Sequence, residues 1–201
     1  MRALTLLLLL SAFPAQAGTA PRVEAGLPLA DPSTAGDSGL QARILFGGSR
    51  LGEYGPCECP QIPLGGLSQE AARVAGLRGG AQPIFWFDAG DRLFRHDMAM
   101  TDTEEAARRL RAILMIDAGS VAGLDAFGIG RLDLGAGLPY LSALARRASF
   151  PVLSANLRNK QGGQVFAASV LLERGGLKVG VTAVLPGGLD GLDFATTEPR
   201  A

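Results

Sequence analysis

The residues best placed to do chemistry follow an apolar run. In PIFWFDAGDRLF, residues 83–94, the run Ile84-Phe85-Trp86-Phe87 breaks into Asp88-Ala89-Gly90-Asp91. An aromatic run of this length reads as a buried strand. A glycine turn flanked by carboxylates then sets acidic oxygens at the strand's carboxyl edge, where open α/β sheets place their ligands. Asp91, with Asp88 as a weaker partner, could hold a divalent cation such as Mg²⁺, Mn²⁺ or Zn²⁺. The alternative is that both residues shape and solvate a turn. A second candidate is Pro56-Cys57-Glu58-Cys59-Pro60. Cys57 and Cys59, with Glu58 between them, offer half a structural zinc site, a redox pair, or two loop cysteines without catalysis. A disulfide across i,i+2 closes a strained small ring that is easily reduced. The single histidine, His96, stands in a polar loop and reads as a surface residue. Arg108, Arg109 and Arg111 form a basic group that reads as a solvated helix face, with an anion site as the alternative.

These residues need a scaffold. The chain has 201 residues, enough for one domain with a real core once a leader and tail are set aside. Charges balance to zero, so bulk electrostatics give no reason to expect a nucleic-acid or anionic-membrane partner. Residues 1–17 read as a secretory signal: Arg2, a leucine-rich run from Leu4 to Phe13, and Ala15-Gln16-Ala17 as a cleavage site. That run is shorter than the roughly 20 residues a spanning helix needs. A secreted or periplasmic protein is expected, with no integral membrane segment after cleavage. Residues 18–41, rich in Pro, Gly, Ala and Ser, read as a tether, and residues 42–201 as the folded domain.

The elements alternate within that domain. A strand is expected at Ile44–Phe46, then a long loop, a helix over 68–77 and the strand at 84–87. A second helix starts near Thr101, where Glu104 completes the spacing of a capping box. Leu110, Ile113 and Leu114 fall on one face of it, with the arginines facing water. A short strand within 123–130, a helix over 138–148 and a strand over 150–157 follow. Two apolar runs joined through Arg174-Gly175-Gly176 read as an antiparallel hairpin that extends a mainly parallel sheet.

This order resembles the N-terminal part of a 5'-nucleotidase-type metallophosphoesterase of the calcineurin-like superfamily. The likeness rests on Ile44-Leu45-Phe46 entering a loop, Leu64-Gly65-Gly66-Leu67 opening a helix, and Phe87-Asp88-Ala89-Gly90-Asp91. It continues through residues 128–137 with Leu141, Phe150-Pro151-Val152-Leu153-Ser154-Ala155-Asn156, and Lys178-Val179-Gly180-Val181. The resemblance implies an α/β sandwich, here partial, whose two metals clamp a phosphate ester and activate water. Asp91 matches the metal-binding Asp of the family's Gly-Asp. The first Asp-x-His position holds Gly47-Gly48-Ser49-Arg50 instead, and the Gly-Asn-His-Glu block holds Gly128-Ile129-Gly130-Arg131. With those ligands absent, the expected protein is a catalytically impaired or inactive phosphoesterase relative that can still hold a small phosphate-containing ligand through Arg50 and Arg131. The alternative is a non-catalytic exported binding module that uses the Cys-x-Cys loop and the acidic turn.

Overall fold

The computed structural model describes residues 41–57, 65–95, 102–191 and 193–197. The expected signal segment and most of the expected tether lie outside these residues, as do Thr101 of the capping box, Glu58, Cys59 and His96. No helix among the described residues is long and apolar enough to cross a membrane.

Four parallel strands form the central sheet in the order β1 (Arg43–Gly47), β2 (Ile84–Asp88), β3 (Ala126–Gly128) and β4 (Val152–Leu153). Sequential order with right-handed crossovers puts all connecting helices on one face. The helices α1 (Leu67–Arg78), α2 (Asp102–Ala122) and α3 (Leu138–Arg147) do pack there. Alternation along each strand divides its side chains. Trp86, Phe127 and Val152 meet Val74, Met115, Ile116, Leu141 and Leu144 of the helices, while Ala126 and Leu153 point to the opposite face.

That opposite face is covered by a hairpin, β6 (Ser169–Arg174) and β7 (Leu177–Thr182). Gly175 and Gly176 have φ of 60° and 78°, the left-handed pair that a two-residue turn requires. The hairpin was expected to extend the parallel sheet. It forms its own two-stranded sheet and lies across the first, because Val170, Leu172 and Val181 on one side of it bury against Ala126, Leu153 and Phe87. The strand expected over 150–157 also divides. β4 ends at Leu153, and β5 (Leu157–Asn159) pairs instead with β8 (Phe194–Thr196). Buried Asn156 makes the break: its amide donates to the carbonyls of Leu185 and Thr197, and its oxygen accepts from the Leu185 amide.

The second helix also turns a different face inward. Ala112, Met115 and Ile116 are buried, whereas Leu110 and Leu114 are exposed. Apolar residues occur all round this helix, so periodicity leaves its orientation open. The sheet selects the side carrying Ala112 and Gly119, where a Cβ on Gly119 would stand only 3.1 Å from the Phe150 ring. Small residues let the helix approach closely.

Asp125, just before β3, ties the layers together. Its Oδ2 accepts from the Trp86 amide at 2.8 Å and from Arg78 of α1 at 3.1 Å. Its Oδ1 accepts from Arg174 of the hairpin at 2.6 Å. Trp86 itself is 4 % exposed. Trp86→Ala should lower stability by roughly 3–5 kcal/mol, as for other large aromatics removed from a core. A denaturant titration showing less than about 1 kcal/mol would place the indole outside the core.

Candidate functional site

Parallel register brings the carboxyl ends of the strands to one edge: Gly47 lies opposite Asp88, Asp88 opposite Phe127, and Gly128 opposite Leu153. The loops leaving β1 and β2 remain paired beyond the sheet. Ser49 and Leu51 donate their amides to the carbonyls of Gly90 and Asp91, both at 2.8 Å, and Gly52 donates to Arg92 at 2.9 Å.

Asp88 is buried, and both its oxygens are engaged. Oδ2 accepts from Arg92 Nη1 at 2.6 Å, and Oδ1 accepts from the Gly90 amide at 3.0 Å. Burial raises its carboxyl above the ordinary value, against the opposing pull of Arg92. Arg92 is fully buried and also donates to the Met115 carbonyl of α2. Asp91 adopts φ 53°, and its Oδ1 accepts from the Leu132 amide at 2.7 Å.

The central group is one that sequence reasoning passed over. Asp133 is fully buried, and its Oδ2 accepts from the amides of Asp91 and Gly130, each at 2.8 Å. Its Oδ1 accepts from the Leu93 amide at 2.8 Å. Asp91 and the segment 130–133 thus cross-link each other, backbone to side chain in both directions. Burial lifts Asp133 to about 7, although the amides of Gly130 and Leu93 pull it down. The signal available in the sequence was an Asp three residues after Gly130, just beyond a glycine-rich strand end, and an Arg four residues after Asp88.

The two loops approach so closely that only glycine fits at the contact. A Cβ on Gly90, at φ 105°, would lie 2.4 Å from the Gly130 nitrogen. A Cβ on Gly130 would lie 2.2 Å from the Asp91 nitrogen and 2.3 Å from Asp91 Oδ1. Gly130 occupies the position at which the resemblance expects the family's histidine. Ile129, at the expected Asn, is packed in the core.

A cleft of about 410 Å³ opens beside the ends of β1 and β2, lined in part by Gly48, Arg50, Cys57, Glu70 and Asp88. Arg50 pairs with Glu70 of α1 at 2.6 Å, and Cys57 is exposed at the rim. Arg131 lines a different cleft with Asp190 and Asp193. The structure therefore brings Arg50, Cys57 and Asp88 to one cavity and sets Arg131 apart.

A two-metal centre needs several carboxylate and imidazole ligands with free lone pairs. The donors among the described residues do not fit it. Asp88 is committed to Arg92 and Gly90, one Asp91 oxygen to Leu132, and Asp133 to three amides. Among the described residues no three of His, Cys, Asp or Glu converge as a metal-holding group.

Comparison with known proteins agrees on the fold. The 5'-nucleotidase precursor of Thermus thermophilus superposes with a TM-score of 0.63 at 20 % identity, over 79 % of this chain and 32 % of that one. A calcineurin-like phosphoesterase of Bacillus subtilis gives 0.57 at 19 % identity, over 72 % and 48 %. The NAD nucleotidase of Haemophilus influenzae gives 0.60 at 18 % identity, over 78 % and 29 %. No family model matches the chain, and no curated protein matches it closely. The chain has the fold of the calcineurin-like phosphoesterases, and within that class it is similar to the N-terminal part of 5'-nucleotidases. It spans about a third of the length of the Thermus protein.

Asp133→Ala leaves three buried amides without an acceptor and should lower stability by roughly 3 kcal/mol or more. The pH dependence follows from the raised value. The folded chain binds this proton more tightly than the unfolded one, so the group's contribution is full below about 3.8 and is lost as pH rises through about 7. Denaturant midpoints should fall across that interval in the native chain, and the slope should shrink in Asp133→Asn. An unchanged slope in the variant would assign the effect elsewhere.

Proposed function

We propose that the chain is an exported, 5'-nucleotidase-like phosphoesterase relative that holds a small phosphate-containing ligand and does not hydrolyse it unaided. The observation that carries this reading is the contact at Gly130. The space that a transition-state histidine would need is filled by the Asp91 backbone and carboxylate. Enzymes accelerate phosphate-ester hydrolysis by up to ~10²¹, through activated hydroxide and neutralised phosphoryl charge. Among the described residues at this strand edge no metal-holding group stands ready to activate hydroxide. Arg50 lies on the wall of the cleft at the ends of β1 and β2, in an ion pair about one-fifth exposed. It can exchange Glu70 for a phosphoryl oxygen through charge-assisted hydrogen bonds.

Export rests on the leader-like residues 1–17 and supports a secreted or periplasmic location. N-terminal sequencing of exported protein should read from Gly18. A start at Met1 would remove this part of the proposal.

The activity test assays p-nitrophenyl phosphate and 5'-AMP with added Mn²⁺, Zn²⁺ or Mg²⁺. Binding without turnover is expected, with affinity reduced in Arg50→Ala. Turnover above about 1 s⁻¹ that disappears in Asp91→Ala would overturn the reading.

A further inference from the structure

A second cleft lies on the other side of the loop that follows β1. It measures about 250 Å³ and is lined by Leu51, Gly52, Glu53, Leu93 and Phe94, with Arg95, Arg108 and Arg111. Leu93 and Phe94 are buried and give it an apolar floor. Arg108 and Arg111 stand one turn apart on α2, an i,i+3 pair on one face. Arg108 is half-buried. Neither arginine has an ion-pair partner among the described residues. Their neighbours do: Arg109 pairs with Glu105 and lies over the Tyr140 ring, and Arg95 pairs with Glu53 at the rim.

We propose that this cleft is a binding site for a small tetrahedral oxyanion, inorganic phosphate or a chemically equivalent dianion. Two guanidinium groups on one face repel each other unless an anion lies between them, and their planar forks match phosphate oxygens. The Glu53–Arg95 pair is exposed on both sides, and such pairs contribute little. Glu53 can therefore release Arg95 as a third donor. The volume sets the ligand class. It falls below the roughly 300–1,000 Å³ of pockets that enclose drug-sized molecules, which suits a ligand as small as one oxyanion. This cleft shares only Glu53 with the Arg50 cleft, and the proposal stands or falls independently of the activity proposed above.

The test is calorimetric titration of the full chain with inorganic phosphate at low salt. Arg108→Gln and Arg111→Gln are each expected to weaken binding by ~tenfold, with circular dichroism confirming the fold. Arg146→Gln, an exposed α3 residue outside the cleft, is the control and should leave affinity unchanged. Sulfate, of the same shape and charge, should displace phosphate. In an Arg50→Ala background, which removes the binding proposed for the other cleft, phosphate binding that survives loss of both α2 arginines overturns the proposal. So does binding abolished by Arg50→Ala alone, which would assign the anion to the other cleft, and so does the absence of saturable binding in the native chain.

Discussion

One carboxylate holds the strand edge together. Asp133 reaches across two loops and accepts amides from Asp91, Leu93 and Gly130, while Asp91 returns the bond to Leu132. The loops after β2 and β3 have no sheet pairing to each other that would fix them. Backbone amides buried away from water need acceptors, and a single carboxylate with several lone pairs can serve three of them. Close approach is a condition of this arrangement, which is why glycines stand at 90 and 130. The position of Asp91, the φ of its backbone and the course of the chain toward Arg92 all depend on that contact.

The same bonds limit the chemistry. A carboxylate that accepts an amide at hydrogen-bond distance has given up a lone pair that a cation would use. Asp88 is further removed from metal chemistry because Arg92 lies against it in full burial. A buried pair of this kind owes little to net electrostatic gain, since desolvation offsets the attraction. Its evident role is positional: Arg92 joins the turn after β2 to the Met115 carbonyl of α2.

Much of the scaffold was legible in the sequence. The run Ile84–Phe87, the glycine pair at 175–176 and the alternation of short strands with helices are local patterns, and each element appeared where its pattern lay. The failures have a common cause. The orientation of α2 could not be read because Leu110 and Leu114 match its periodicity as well as Met115 and Ile116 do, and only the facing sheet decides between them. The hairpin's placement depends on which of its faces meets Ala126 and Leu153. β5 and β8 are too short to show a period, and each finds its partner far along the chain. At the site, Asp88 and Asp91 were visible as residues but their partners were not. Arg92 and Asp133 act through backbone groups distant in sequence, at Met115 for the one and at Asp91 and Leu93 for the other. No spacing rule reports such contacts.

The two aspartates that frame β3 show what kind of edge this is. Asp125, at the amino end, faces Arg78 and Arg174, so its charge is matched by cations from both layers. It serves as a clamp, leaving nothing for a ligand. Asp133, at the carboxyl end, is met by backbone amides, whose partial charges spread the compensation over three donors and bring the loops together. The negative charge at that end is thus turned inward and used up in the fold. Around it the cleft walls carry Arg50 paired with Glu70 on one side of the β1 loop, and Arg95 paired with Glu53 beside Arg108 and Arg111 on the other. The acidic turn that first draws attention in the sequence is thus a support: its carboxylates hold the loops on whose outer sides those arginines stand.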